Sequence, residues 1–153
     1  MIYKVGIAGF GIVGERRKMF IEKNPDLNLV AICDKLLEKK KKIERRISFF
    51  TDYRDLLDLD LDIIFVCMTN DIAPEVTISS LKKGLHVFCE KPPGRNVEDI
   101  EKVIKIENIA KNQILKYGFN HRYHDSVILA KQLISSGKFG EIINLNGIYG
   151  KSR

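Results

Sequence analysis

The stretch "VGIAGFGIVGERRKMF", residues 5–20, runs from an apolar strand pattern through three glycines into a helical pattern. Gly9, Gly11 and Gly14 stand as GxGxxG, a spacing that gains physical content from the strand before it and the helix after it. Each glycine answers a separate need. Gly9 permits a tight turn, Gly11 lacks the side chain that would hold a pyrophosphate off the backbone, and Gly14 lets the helix pack closely. Phe10, Ile12 and Val13 belong to the same turn. Its helix N-terminus offers unpaired N–H groups and a partial positive charge to phosphates.

Working outward, Asp34 stands twenty residues beyond Gly14, at the end of the second strand pattern. There a carboxylate accepts hydrogen bonds from the adenosine ribose hydroxyls and repels a 2′-phosphate. That favours NAD. Lys35 follows directly and opens a basic stretch, so NADP stays open as the alternative.

At 153 residues the chain has the length of one ordinary domain, enough to bury roughly 70% of its unfolded surface. Its 44% hydrophobic and 30% charged residues mark a soluble globular protein rather than a disordered or membrane-embedded one. Much of the net charge of +6 comes from seven Lys or Arg in residues 35–46. Leu36, Ile43 and Ile47 recur there at roughly helical spacing, so the lysines coat the exposed side of a surface helix. No aromatics interleave the run, which argues against nucleic acid as a partner. Cys33, Cys67 and Cys89 are odd in number, widely spaced and without a CxxC pattern. Neither a disulfide frame nor a zinc site is suggested, and a reducing compartment fits. The N-terminus lacks a signal-peptide layout and "IIFVCM" is far too short to cross a bilayer, so no membrane is expected and the cytoplasm is the expected location.

Strand patterns at residues 3–8, 29–33, 63–68 and 85–89 alternate with helical ones. This is the signature of βαβ units: an α/β, doubly wound parallel sheet, the Rossmann fold. A weaker strand "ISFF" precedes a short helix around "YRDLLDL", and "QILKYGF" reads as a sixth strand. Asn96 caps the helix before it, with Glu98 and Asp99 in the first turn. A further helix holds Val127, Leu129, Ala130, Leu133 and Ile134 and ends at Gly137 or Gly140. After it, "EIINLNGIYGKS" reads as one more strand with nothing to pair with. The expected organisation is a dinucleotide-binding domain over residues 1–120, then a helix and strand over 121–153. That last strand, rich in isoleucine, is expected to pair with another chain or to fold back on its own domain.

At "VCMTND" and "HVFCEKPPGRN" the chain resembles the N-terminal half of Gfo/Idh/MocA-type oxidoreductases. Glu90-Lys91-Pro92 matches that family's EKP motif after the fifth strand, Thr69-Asn70 falls on its loop after the fourth, and "GFNHRYHDS" is similar to its segment after the sixth. The resemblance implies a cofactor site that includes Met68, Thr69, Asn70, Glu90, Lys91 and Asn120 besides the glycine turn, Asp34 and Lys35. It makes Lys91 the leading catalytic residue, beside the nicotinamide and the substrate hydroxyl, with Glu90 orienting it. Arg95 and Asn96 would lie near the cofactor cleft, and Arg122 and Tyr123 would border the substrate. The family's frequent proline at the Thr69 position and histidine at the Ala73 position are missing. His121 and His124 lack a third ligand partner, so no metal is expected.

The resemblance implies an NAD(P)-dependent oxidoreductase acting on a sugar, cyclitol or nucleotide sugar. A hydride would pass from a carbinol carbon to nicotinamide C4 while Lys91 assists loss of the hydroxyl proton. The family completes its site with a second, α+β domain, of which this sequence holds what looks like the first strand. A single Rossmann domain supplies one wall of such a site, so little turnover is expected from it alone. The rival reading is a non-catalytic dinucleotide-binding module or subunit.

Overall fold

Strand β1 (Tyr3–Ala8) feeds helix α1 (Ile12–Lys23), and the chain then runs outward through β2 (Leu27–Cys33) and β3 (Ser48–Phe50). It returns through α2 (Tyr53–Leu57) to β4 (Ile63–Val66), then α3 (Ala73–Lys82), β5 (His86–Cys89), α4 (Val97–Glu107) and β6 (Leu115–Tyr117). The computed structural model describes residues 1–36, 46–148 and 150. The basic helix expected within residues 35–46 lies largely outside them. Leu36 is exposed in a turn, and Ile47 is buried just ahead of β3.

The six strands form one sheet in the order β3-β2-β1-β4-β5-β6, every neighbouring pair parallel. The order reverses between β1 and β4, and a crevice opens at the carboxyl ends of those two strands. Residues of alternating parity feed two cores, as a sheet covered on both faces requires. Ala8, Cys33, Ile64, Val66, Val87 and Cys89 pack with α2, α3 and α4, through Leu56, Val76 and Val103 among others. Val5, Ile7 and Ile32 pack on the other face with Ile21 of α1 and with Phe10.

Helix starts follow local chemistry. The Asp52 side chain accepts the Arg54 N–H at 2.8 Å and opens α2, and Asn96 accepts the Asp99 N–H at 2.9 Å and opens α4. The sequence placed most elements correctly but missed several ends. β2 begins two residues earlier than expected, β4 ends at Val66, and β6 is only three residues long.

Two compact units are present, Met1–Gly118 and Phe119–Arg153. The second holds a 3₁₀ turn at Asn120–Tyr123 and helix α5 (Asp125–Ser135), closed by Gly137 at φ +65° and Gly140 at φ +79°. Of the strand expected in "EIINLNGIYGKS", no part forms among the described residues: 141–148 carry no regular structure. An extended segment becomes a strand only when its N–H and C=O groups meet a ladder partner, and these residues have none among the described residues.

Candidate functional site

The glycine turn sits at the crevice, and each glycine is held to its residue type by a different neighbour. Gly9 has φ +92°, and a Cβ there would stand 2.6 Å from the Cys67 carbonyl oxygen at the end of β4. A Cβ on Gly14 would stand 2.2 Å from the Gly9 carbonyl oxygen. Both glycines are therefore required by packing alone. Gly11 is different: nothing lies within 4 Å of where its Cβ would be. It is the N-cap of α1, no side chain caps that helix, and Ile12 and Val13 in the first turn are exposed. Open space therefore faces the amino end of a twelve-residue helix.

Phe10 contributes differently from its neighbours. Its ring is buried in the α1 core, and its backbone N–H donates to Asp34 Oδ2 at 2.7 Å. The other oxygen of Asp34 accepts the Leu36 N–H at 2.9 Å. Asp34 thus ties the glycine turn to the end of β2, while each carboxylate oxygen retains a lone pair for a further donor.

From this turn a cleft of about 710 Å³ extends over the carboxyl edge of the sheet. It gathers Gly9, Gly11, Asp34, Lys35, Met68 and Thr69 from the residues singled out in the sequence. Asn70, Glu90 and Lys91 lie outside its lining. It also gathers residues the sequence reading did not assign to a site: Thr51, Asp52, Tyr53 and Arg54, after β3, and Asp71, after β4. The signal for them was available, because every strand of a parallel sheet delivers its following loop to the same edge. Arg54 is claimed from three sides, bonding Asp52 and, at 3.0 Å, Glu75, with its guanidinium 4.7 Å from the Tyr53 ring centroid. The Tyr53 hydroxyl donates to the same Glu75 oxygen. The Arg54 N–H holds the Asp52 carboxyl below its usual range, and the Thr69 side chain does the same for Asp71. Among the described residues the lining carries Asp34, Asp52 and Asp71 against Lys35 and Arg54, with Asp52 and Arg54 paired to each other.

At the end of β5 the Glu90 N–H donates to the Val66 carbonyl at 2.9 Å, and its side chain is buried at 8% exposure. Arg17, on α1, donates from Nε to Glu90 Oε1 at 2.7 Å and from Nη2 to the same oxygen. Lys91 is exposed beside it. Arg95 is bound back onto Asp99 through its N–H at 3.1 Å and its Nε at 3.3 Å, so Arg95 and Asn96 both secure the start of α4.

In the second unit Asn120, Arg122 and Tyr123 share the exposed 3₁₀ turn, and the rings of His121 and His124 lie 4.7 Å apart. Cys33 and Cys89 are buried and Cys67 half-buried, all three with free thiols. Burial pushes Cys33 and Cys67 up to about 12 and Cys89 to about 11, which makes poor nucleophiles of them.

A family model described as an oxidoreductase family with an NAD-binding Rossmann fold matches residues 3–119. Inositol 2-dehydrogenase of Salmonella typhimurium is 27% identical over 96% of this chain and 46% of its own length. D-glucoside 3-dehydrogenase of Escherichia coli is 29% identical over 91% of this chain and 41% of its own. The crystal structure of scyllo-inositol dehydrogenase from Lactobacillus casei, with NAD(H) and scyllo-inositol bound, superposes with a TM-score of 0.84 at 31% identity, over 92% of this chain and 43% of that one. The chain spans less than half the length of these relatives. Because the family model reaches from the first residue of β1 to beyond β6, the chain belongs to the Gfo/Idh/MocA oxidoreductase family, whose NAD-binding Rossmann fold it displays.

Proposed function

We propose that this chain is the coenzyme-binding part of a dehydrogenase for a polyhydroxylated substrate, a sugar, cyclitol or nucleotide sugar, and that it takes NAD(H) in preference to NADP(H). The observation that carries the reading is the space at Gly11, open in front of the uncapped end of α1 while the two flanking glycines are closed off by backbone. Of the three glycines in the turn, Gly11 alone is not required by packing.

The residues present fit a dinucleotide. The N–H groups of the first turn of α1 would bind the pyrophosphate, and the Asp34 oxygens would accept the ribose hydroxyls. The Asp34 carboxylate at the end of β2 disfavours the extra charge of a 2′-phosphate. When bound, the nicotinamide supplies a hydride acceptor or donor. Lys91, with no ion-pair partner among the described residues, would place its ammonium against the substrate hydroxyl, favour oxyanion character there and take part in moving its proton. Met68, Thr69 and Asn70 would border the coenzyme, as would Asn120; Arg122 and Tyr123 would face substrate. The residues described here supply one wall, and turnover needs the second that longer relatives have room for. Three unpaired thiols suit a reducing cytoplasm.

Calorimetry on the 153-residue chain tests this directly. NADH should bind at least about tenfold tighter than NADPH, a difference of about 1.4 kcal/mol. The same preparation should show no turnover of myo-inositol, scyllo-inositol or glucosides. Failure to bind either nucleotide removes the coenzyme reading, and efficient turnover removes the need for a second wall.

A further inference from the structure

Glu90 is the residue immediately before Lys91, and it is held from three directions. Its backbone N–H is fixed to Val66 at the end of β4. Its Oε1 takes two N–H donors from Arg17 in the second turn of α1. Its Oε2 occupies the space left by Gly118 after β6, where an added Cβ would stand 2.8 Å away, with 3.1 Å to the carboxyl carbon. Arg17 is fixed in turn. Its guanidinium lies 4.6 Å from the ring centroid of Phe88, two residues before Glu90 and on the same face of β5. Phe88 pairs with Phe65 of β4 at 5.2 Å. The carboxylate of Glu90 is therefore committed to Arg17, and its influence on Lys91 runs through the peptide bond they share.

A buried ion pair is a weak source of net stability, since desolvation offsets most of its attraction, but it fixes geometry where both partners are fully bonded. A planar guanidinium on an aromatic shelf does this better than an ammonium on a flexible stem. We infer that Arg17 is a positioning residue: by clamping Glu90 it sets the direction in which the chain leaves β5, and hence where Lys91 stands relative to the nicotinamide end of the coenzyme. The helix whose amino end faces the phosphates thereby also aims the lysine. The inference rests on the reading of Lys91 as the chemical residue and assigns a role to a side chain outside the cleft.

Amide hydrogen exchange on the chain without ligand, followed by binding of ADP-ribose and of NADH, tests it for Arg17→Met, Arg17→Lys and Gly118→Ala. In Arg17→Met the Glu90 amide, bonded to the Val66 carbonyl, should exchange about tenfold faster while those of Val5, Ile7, Ile64 and Val66 stay protected. ADP-ribose should bind within about twofold of the parent, whereas the added affinity of NADH over ADP-ribose should fall about tenfold. Arg17→Lys should recover part of that loss. Gly118→Ala, which presses on Glu90 from the opposite side, should show the same local signature, and it stands in if Arg17→Met does not fold. Unchanged exchange at Glu90 overturns the inference, as does an equal loss of ADP-ribose and NADH binding with a lowered melting temperature. If the parent chain binds neither ligand, the coenzyme reading fails while the exchange measurement still decides the role of Arg17.

Discussion

Gly14 and Gly11 belong to one motif and answer to different forces, and single substitutions separate them. Gly14→Ala drives a methyl against the Gly9 carbonyl, a backbone atom that cannot step aside, so α1 must lift from the turn. We expect a loss of roughly 2–4 kcal/mol in chemical denaturation, with NADH binding lost as well. Gly11→Ala meets nothing in the protein. Stability should stay within about 0.5 kcal/mol of the parent while NADH affinity falls at least tenfold, because the methyl stands where the pyrophosphate approaches. These separate roles were legible in the sequence because spacing alone dictates them. The double use of Asp34 was not, since its partner Phe10 lies 24 residues away and meets it only once β1 and β2 are paired. The thiols make a second residue-level prediction. Burial raises Cys33 and Cys67 from an ordinary value of 9.0 to about 12, so between those limits the unfolded chain binds fewer protons than the folded one. Stability is thus intact below the unfolded value and falls as pH rises through the window. The urea midpoint should drop between about pH 8 and about pH 10.5, and drop less in Cys67→Ala; a flat profile counts against burial of these thiols.

At the scale of elements, what the sequence disclosed depended on whether the signal was local. The unbroken apolar run Ile63, Ile64, Phe65 and Val66 marks a central strand whatever its partners, and Asn96 marks the start of α4 through a bond three residues away. Asn96→Ala removes that acceptor from the Asp99 N–H and should cost about 1 kcal/mol, read as a lower melting temperature with coenzyme affinity unchanged. A parallel loss of NADH binding would instead place Asn96 in the coenzyme site itself. Where an element depends on a distant partner, local pattern misled. Residues 141–148 have the apolar composition of a strand in Ile142, Ile143, Leu145 and Ile148, yet no ladder forms among the described residues. β6 shows the same dependence in milder form, reaching only as far as its register with Val87, Phe88 and Cys89. The loops that line the cleft after β3 and β4 were hidden for a related reason. Thr51, Asp52 and Asp71 become neighbours of the glycine turn only through the strand order.

The molecule holds a six-stranded sheet unit and a second unit with no buried core among its described residues. No described residue of the second unit falls in either core cluster, and α5 carries Val127, Leu129, Leu133 and Ile134 at 41–55% exposure. Beyond it Ile143 and Ile148 are each 98% exposed. Each such isoleucine gains about 1.5–3 kcal/mol on full burial, and an extended segment with unpaired N–H and C=O groups is a template for another strand. Burial of that segment would follow from pairing with a second copy of this chain or from folding back on its own sheet unit. For the chain by itself the second copy is the accessible partner. Sedimentation should show a mass that rises with concentration, and Ile143→Lys with Ile148→Lys should return it to the monomer without altering NADH affinity, since neither position lies near the glycine turn in sequence or within the unit that holds it. A monomer at all concentrations, with narrow and intense NMR signals from residues 141–148, would show that the tail seeks no partner among its own kind.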